Sequence, residues 1–456
     1  MKLITRMAIG VCHFTRWVMR KVGRGGTDLP GRLALKIDSN ILKTLSEDMT
    51  VILVTGTNGK TTVCRMIEQG LKEAGICYLA NRSGANLMGG IVNTFCDRHL
   101  HGREKNEITH AVIECDEAAF AKVSRTLQVS CIVVTNIFRD QLDRYGEITA
   151  IRGKIEEGIR NLPKAVLCLN ADCSLTASLG RADNRVVYYG IEKGVLPQSG
   201  NKISDAEYCF FCKSKYEFDY QLYGHLGGFY CPCCGYRRPE PQLKVQQMIF
   251  AGHDISTVEM DIMGEIKNVT IGVPGGFNVS NAAAAAAALV QNGQKAEQIA
   301  VAMKKFECGF GRSERFELGK AVVRMMLVKN PVGFNQVIDY IRKVQGQYRL
   351  VLLLNDRQAD GTDISWIWDV DFESLAERQE QMERVLVSGI RSAELMVRLK
   401  YAGFDMSQVE EVENPSILLD RISGAEGPVF MVPSYTAMFE IRRKIEERTD
   451  IRAFYE

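Results

Sequence analysis

The sequence predicts an α/β protein whose chain forms parallel, doubly wound sheets in more than one domain. Apolar runs that end in polar residues recur with helical patterns between them, which is the alternation of βαβ units. A second series of such runs begins at Val322 and continues almost to the end of the chain. The length of 456 residues exceeds what one hydrophobic core normally organises. The first series of predicted strands covers residues 51–54, 110–114, 130–135 and 165–170.

The first 45 residues are predicted to form a basic segment that packs on the central domain. No acidic residue precedes Asp28. Two interpretations of this segment stay open. It is a basic amphipathic helix packed against the body, or it is attracted to an anionic membrane surface or lipid head group. The basic residues are Lys2, Arg6, Arg16, Arg20, Lys21 and Arg24.

Charge and hydropathy exclude several classes of protein. Lys and Arg total 57 against 55 Asp and Glu, so the net charge of +2 argues against wholesale wrapping by nucleic acid. No apolar run approaches the roughly 18 residues that span a bilayer. The uncharged stretch from Met7 to Thr15 is short and lacks a following small-x-small cleavage site, which excludes a secretory signal. We therefore expect a cytoplasmic protein, with the inner face of the plasma membrane as the alternative location.

A glycine-rich loop follows the first predicted strand and opens a helix that runs to about Ala74. Backbone N–H groups and the helix N-terminus would converge there on one point, which suits a polyphosphate. Lys60 would supply a cation to the outer phosphates, and the Thr61 hydroxyl could ligate Mg²⁺. The spacing is shorter than in the common phosphate-binding loop. The candidate ATP-binding residues here are Gly56, Thr57, Asn58, Gly59, Lys60, Thr61 and Thr62.

Carboxylates at the end of a neighbouring predicted strand are candidate magnesium ligands. Glu114, Asp116 and Glu117 follow the apolar run 110–113. Mg²⁺ held by one hydroxyl needs carboxylate oxygens, so we expect one of the three to bind it.

Residues 200–245 are predicted to form an insertion in a central domain that spans residues 46–316. Two cysteine pairs, Cys209 with Cys212 and Cys231 with Cys234, have the spacing of a tetrahedral zinc ribbon. Cys233 is the alternative fourth ligand. A closed four-thiolate shell leaves no position for water, so the predicted zinc is structural. A disulfide or free thiols, and a nucleic-acid-binding ribbon, are the competing interpretations.

The second domain is predicted over residues 317–456, and it contains an acidic loop at residues 355–369. Asp356, Asp360 and Asp363 lie on this loop together with two tryptophans, after a buried strand. Ligand chemistry favours that edge of a sheet.

Several motifs together resemble the Mur ligases. They are the octad Thr55-Gly-Thr-Asn-Gly-Lys-Thr-Thr62, the strand that ends at Glu114, the run from Thr135 to Gly146, and Phe277-Asn-Val-Ser-Asn281 before an alanine helix. The resemblance implies a Mur-ligase-type central P-loop ATPase domain with a zinc-ribbon insertion, followed by a Rossmann-like C-terminal α/β domain. It implies that Lys60 and Thr61 hold the phosphates and Mg²⁺, that Glu114 ligates Mg²⁺ and that Asn136 lines the site. It also implies that Asn278 and Asn281 meet the adenine and that Arg312 approaches the phosphates.

Two features depart from the common pattern of that family. Only about 45 residues precede the loop strand, so we expect no domain that grips a UDP group. The family also commonly carries a carbamylated lysine, for which Lys154 is the nearest candidate, and its modification does not follow from spacing.

The acidic loop, the segment from Gly25 to Gly31 and the insertion resemble one branch of the Mur ligases, the synthetase subunits that amidate lipid II. That resemblance implies amidation of the D-glutamate α-carboxylate, with ammonia from a separate glutaminase subunit of the GatD type in a heterodimer. Asp363 would complete the catalytic pair of that glutaminase, with Asp360 as the fallback. The sequence has no Cys–His nucleophile elbow of its own. The rival hypotheses are an amino-acid-adding ligase similar to folylpolyglutamate or cyanophycin synthetase, and a nucleotide-switched binding module.

Overall fold

Two large sheets and one small hairpin organise the chain. The computed structural model describes residues 1–21, 28–81, 85–98, 108–140, 148–197, 204–307 and 311–449. The predicted α/β class is confirmed, with strands and helices alternating through both sheets. Both sheets are mixed rather than purely parallel.

The first sheet has nine strands in the order β11-β10-β9-β6-β5-β4-β1-β3-β2. Its strands are β1 (Thr50–Thr55), β2 (Tyr78–Ala80), β3 (His110–Glu114), β4 (Cys131–Val134), β5 (Val166–Asn170), β6 (Val186–Ile191), β9 (Leu243–Ala251), β10 (Ser256–Ile262) and β11 (Glu265–Ile271). From β2 to β9 every pairing is parallel, whereas β10 pairs antiparallel with both neighbours. Because β1 lies between β3 and β4, the polar residues that follow these three strands meet at one sheet edge.

Helices cover this sheet, and one of them is unusually rich in alanine. Residues 282–288 are all alanine and all buried, within the helix Gly276–Gln291. Alanine favours helix and has a small side chain, so this helix can pack closely against its surroundings. The helices of this half of the chain are Leu3–Lys21, Asp28–Ile37, Ile41–Ser46, Lys60–Glu73, Met88–Asp97, Glu117–Val123, Ile148–Arg160, Ser174–Ala177, Gly276–Gln291 and Ala296–Lys305.

The N-terminal helix, Leu3–Lys21, packs on the body. Ala8, Ile9 and Cys12 belong to the same hydrophobic cluster as the strands of the nine-stranded sheet. Among the described residues no helix has the length and apolar character needed to cross a membrane.

The cysteine-rich insertion carries a separate hairpin of β7 (Glu217–Gln221) and β8 (Gly227–Tyr230). A small cluster that includes Tyr216 and Phe229 forms its core. The buried carboxylate of Asp172 accepts from Arg238 Nε at 2.7 Å, which ties the insertion to the end of β5.

The second sheet has six strands in the order β12-β13-β17-β14-β15-β16. They are β12 (Arg312–Leu318), β13 (Ala321–Met326), β14 (Tyr348–Leu353), β15 (Met382–Ser388), β16 (Val409–Glu411) and β17 (Pro428–Pro433). Only β12 runs antiparallel to its neighbour, and separate hydrophobic clusters cover the two faces. The predicted domain boundary after residue 316 falls inside β12. The helices here are Pro331–Ile341, Phe372–Ala376, Ser392–Tyr401, Pro415–Ser423 and Tyr435–Glu446.

Candidate functional site

The loop after β1 has the conformation that a phosphate cradle needs. Gly56 and Gly59 adopt φ of +118° and +87°, which favour glycine. A Cβ on Gly56 would overlap Thr135 Oγ1, and one on Gly59 would overlap Asn281 Oδ1. Gly59 also caps the helix Lys60–Glu73, so the loop leads directly into a helix N-terminus.

Lys60 is buried beside this loop and is held by three partners. Its ammonium donates to Gly56 O at 2.5 Å and to Thr57 O at 3.3 Å, and pairs with Glu117 at 3.1 Å. Burial opposes its charge, but nearby carboxylates, Glu117 foremost, raise the pKa of Lys60 to about 12. Lys60 therefore stays protonated at neutral pH, as a phosphate-binding cation must.

The carboxylates after β3 have three separate contacts. Glu114 Oε2 accepts from the Thr61 hydroxyl at 2.8 Å, which brings together the two predicted magnesium ligands. Asp116 accepts from Ala118 N at 3.0 Å and caps the next helix. Glu117 pairs with Lys60. Of the three, Glu114 is thus the carboxylate that contacts Thr61, and hydroxyl plus carboxylate is an oxygen set that suits Mg²⁺.

Asparagine side chains that sequence reasoning did not select support this pair. Asn81 Nδ2 donates to Glu114 O at 2.7 Å, and Asn86 Nδ2 donates to Glu114 Oε1 at 3.3 Å. Both follow β2, at the same sheet edge as Glu114. The parallel order of the strands was the signal that could have identified them.

Asn136 holds the loop from its other side. Its Oδ1 accepts from Asn58 N at 2.9 Å, and its Nδ2 donates to Asn58 O at 3.1 Å. Thr57 is fixed as well, since its hydroxyl donates to Phe138 O at 3.2 Å. The loop is therefore shaped by contacts from the segment after β4.

Asn278 and Asn281 lie on the first turns of the alanine helix, next to the same loop. Asn278 Nδ2 donates to Pro274 O at 2.7 Å, and Asn281 Nδ2 donates to Asn278 Oδ1 at 3.2 Å. Both side chains line a cleft that also reaches Thr62. A half-buried Arg312, at the start of β12, lines the opposite wall. Seven of the candidate ATP-binding residues line this one cleft, namely Asn58, Gly59, Thr62, Asn136, Asn278, Asn281 and Arg312.

Residues of the second sheet's domain close the cleft and were missed by sequence reasoning. Asn330 Nδ2 donates to Asn58 Oδ1 at 3.0 Å, and Lys329 pairs with the buried Asp140 at 2.5 Å. Asn330 also caps the helix Pro331–Ile341, so an Asn-Pro start signal was present in the sequence. Lys154, the candidate for carbamylation, is half-buried on the helix Ile148–Arg160.

Replacing Gly59 by alanine is expected to weaken nucleotide binding by at least about tenfold. The new Cβ would collide with Asn281 Oδ1, and the alanine would have to adopt a positive φ. Gly75→Ala is the matched control, because Gly75 has φ of +70° but open space around its Cβ position. Calorimetric titration with ADP measures both variants. An affinity of Gly59→Ala equal to that of Gly75→Ala and of the parent would contradict a role for Gly59 in nucleotide binding.

The four predicted zinc ligands converge. The sulfurs of Cys209, Cys212, Cys231 and Cys234 all lie within 4.8 Å of one another. The Cys212–Cys231 sulfurs are 3.4 Å apart. Cys233 is exposed and lies outside the cluster.

The acidic loop places Asp360 and Asp363 in different environments, one buried and one exposed. Asp360 is buried, and its carboxylate accepts from Thr436 N at 2.7 Å and from Arg357 N at 3.1 Å. Asp363 is exposed, with Oδ1 accepting from Ser365 N at 2.8 Å. The hydrogen bonds from Ser365 lower the pKa of Asp363, so it carries a negative charge at neutral pH. Asp360 thus anchors the loop, and Asp363 is the accessible acid.

The same loop reaches both an apolar surface and the first sheet's domain. Trp368 is 51% exposed and lies edge to face against Tyr401 at 5.7 Å between ring centroids. Asp369 pairs with Arg139 at 2.9 Å. Arg139 follows Asn136 by three residues in the sequence. The loop with Asp363 is therefore connected to the phosphate-binding region by an ion pair.

Comparison with known proteins matches both halves of the chain. The Mur ligase middle domain matches residues 54–226, and the MurT ligase C-terminal family matches residues 327–438. The lipid II isoglutaminyl synthase (glutamine-hydrolyzing) subunit MurT of Streptococcus pneumoniae is 33% identical over 99% of both chains. The protein of the same name from Staphylococcus aureus is 34% identical over 94% of this chain and 95% of the relative.

Solved structures show the same fold at lower identity. A pseudomurein peptide ligase type C from Methanothermus fervidus superposes with a TM-score of 0.67 at 21% identity, over 90% of this chain and 80% of that one. The folylpolyglutamate synthase of Mycobacterium tuberculosis gives a TM-score of 0.63 at 14% identity, over 90% and 94%. With a relative that matches along nearly its whole length, the chain belongs to the MurT family of Mur ligases.

Proposed function

We propose that this protein is the synthetase subunit of a two-subunit enzyme that amidates the D-glutamate α-carboxylate of lipid II in peptidoglycan synthesis. The observation that carries the proposal is the contact of Thr61 with Glu114 beside the buried Lys60, in a chain whose full-length relatives are named for that activity. The reaction consumes ATP and yields D-isoglutamine.

ATP would lie in the cleft between the two sheets, with its phosphates on the loop after β1. The N-terminus of the helix Lys60–Glu73 and the ammonium of Lys60 would face the phosphates, and Arg312 would approach from β12. Thr61 and Glu114 would hold Mg²⁺, which neutralises charge on the phosphate oxygens when bound. Asn278 and Asn281 would border the nucleoside.

The chemical step transfers the γ-phosphoryl group to a carboxylate oxygen of the substrate. A P–O bond to the β-phosphate breaks, ADP leaves, and an acyl phosphate forms. The lone pair of ammonia then attacks the acyl carbon, the C–O bond to phosphate breaks, and inorganic phosphate leaves while the nitrogen loses a proton to solvent. Lys60 and Arg312 stabilise the charge that develops on the transferring oxygens, where preorganised cations contribute most.

A glutaminase subunit of the GatD type would supply the ammonia in a heterodimer. Asp363 supports this assignment because it is exposed, charged and fixed by Ser365 on an anchored loop. In that role it would orient the histidine of the partner's catalytic pair and stabilise its charged form. The exposed Trp368 beside the loop offers an apolar contact for the partner.

We place the enzyme in the cytoplasm, where ATP and glutamine are available.

A measurement of product mass tests the proposal. The chain is incubated with ATP and a lipid-linked muramyl pentapeptide, with either ammonium or glutamine plus the candidate glutaminase. The proposal requires the mass change of –OH to –NH₂ with ammonium alone, and glutamine use only when the partner is present. Turnover of ATP with an unaltered peptide, or addition of an amino acid, would overturn it.

The cysteine cluster is proposed to bind structural zinc. Replacing Cys234 by serine is expected to remove the bound zinc and to lower the melting temperature of the insertion, since metal binding and folding are coupled in such sites. Cys233→Ser is the matched control, because Cys233 is its exposed neighbour outside the cluster. Metal analysis and thermal unfolding measure both variants. Loss of zinc from Cys233→Ser instead would reassign the fourth ligand.

A further inference from the structure

The N-terminal helix (Leu3–Lys21) has one face fixed to the body. Thr5, Ala8, Ile9 and Cys12 are buried at spacings of three and four residues. The Thr5 hydroxyl donates to Asp38 Oδ2 at 2.6 Å, and Cys12 Sγ donates to Asn93 Oδ1 at 3.3 Å. These contacts set the rotation of the helix, so the direction of its other face is defined.

The outward face of this helix is a row of large apolar side chains. Leu3, Met7, Phe14 and Trp17 are 74%, 59%, 65% and 59% exposed. They recur at helical spacing on the side opposite the buried residues. Phe14 and Trp17 stack on each other with ring centroids 6.2 Å apart. A contiguous exposed row of this kind marks an interaction surface, because folding gains nothing from leaving it in water.

The charges on the same helix are all positive. The helix contains no Asp or Glu. Arg16 is paired with Asp97 of the body, which removes it from the outer surface. The exposed cations beside the apolar row are Lys2, Arg6, Arg20 and Lys21.

We propose that this face docks the protein on an anionic lipid bilayer. The apolar row would enter the boundary between head groups and acyl chains, while the flanking cations contact lipid phosphates. Charge complementarity selects this occupant, because a nucleic acid has no use for a row of Leu, Met, Phe and Trp. A purely apolar protein partner would leave the exposed cations of this helix without acidic groups to pair with.

The geometry also connects this surface to the candidate magnesium ligands. The helix packs on Met88–Asp97, which begins two residues after Asn86, and Asn86 donates to Glu114. Exposed Leu29 and Leu87 lie near the start of that helix, where Gly31 contacts the carbonyl of Gly89. The helix that carries the docking face is therefore joined to Glu114 through the segment from Asn86 to Asn93. The inference goes beyond the proposed function and is tested without ATP or substrate.

Vesicle flotation of the full chain tests the proposal. Vesicles of equal parts phosphatidylglycerol and phosphatidylcholine should carry the protein, and vesicles of phosphatidylcholine alone should carry much less. The double variant Phe14→Ser with Trp17→Ser is expected to lose at least about tenfold in partitioning. Phe250→Ser with Ile266→Ser is the matched control, since these side chains are 52% and 59% exposed on the first sheet. Equal binding of both double variants would overturn the proposal.

Trp17 provides a second readout. The chain has three tryptophans, so Trp366→Phe with Trp368→Phe leaves Trp17 as the only reporter. Its emission should shift to the blue on addition of the anionic vesicles, and added salt should reverse part of the shift. No shift with vesicles, or a shift that depends on protein concentration alone, would overturn the proposal. The second result would point to a second copy of this chain as the occupant.

Discussion

Replacing Asp363 by asparagine is expected to abolish amidation with glutamine and to leave amidation with ammonium intact. The substitution keeps the shape of the side chain but removes the charge that would orient and stabilise the partner's histidine. Loss of the charge of a triad acid lowers turnover by roughly 10⁴-fold. Glutamine hydrolysis and product mass, measured in the two-subunit complex, give the result for each nitrogen source.

Asp405→Asn is the matched control for this variant. Asp405 is exposed, and its Oδ1 accepts from Ser407 N at 3.0 Å, the same local arrangement as Asp363 with Ser365. It should keep both activities. Asp360→Asn is expected to lower thermal stability and both activities together, because it disturbs the anchored loop. An Asp363→Asn enzyme that still uses glutamine normally would remove Asp363 from the proposed site.

Replacing Lys60 by methionine is expected to lower ATP-dependent amidation by roughly 10²- to 10³-fold, whichever nitrogen source is used. The ammonium is the buried cation at the phosphate loop, and methionine keeps most of its length without the charge. Activity should fall with ammonium as well as glutamine, which distinguishes Lys60 from Asp363. Initial rates of ADP release measure the effect.

Two further variants separate charge from folding. Lys60→Met leaves Glu117 buried without its ion pair, a situation that destabilises folded proteins. The double variant Lys60→Met with Glu117→Gln removes that unpaired charge and should regain melting temperature without regaining activity. Lys72→Met, an exposed lysine on the same helix, should leave both unchanged. Activity in the double variant near that of the parent would show that Lys60 has only a structural role.

Local sequence signals predicted the fold and the first half of the site. Lys60 and Thr61 were predicted from the apolar strand at residues 51–54, the glycines after it and the helix that follows. Glu114 was predicted from its position at the end of a neighbouring strand. The structure brings Thr61 and Glu114 into contact because parallel strands deliver their carboxyl ends to one edge. The cysteine spacing likewise identified four sulfurs that converge, and the turn geometry favoured Cys234 over Cys233.

The remaining part of the site depends on contacts between distant segments. Asn330 meets Asn58 from the other sheet's domain, and Lys329 meets Asp140 in the same way. Nothing in the local pattern of either segment specifies its partner, since how two domains dock is a property of the whole surface. The different roles of Asp360 and Asp363 could not be predicted for the same reason. Asp360 is anchored by Thr436, which lies 76 residues away in the sequence.

The anchoring of the acidic loop by Asp360 has a kinetic consequence for assembly. A loop that is ordered before the partner arrives loses little conformational entropy on binding. We expect the two subunits to meet as nearly rigid bodies, so that their association rate is set by diffusion and orientation and not by a folding step. Loosening the anchor should then slow assembly even when the final complex keeps the same contacts.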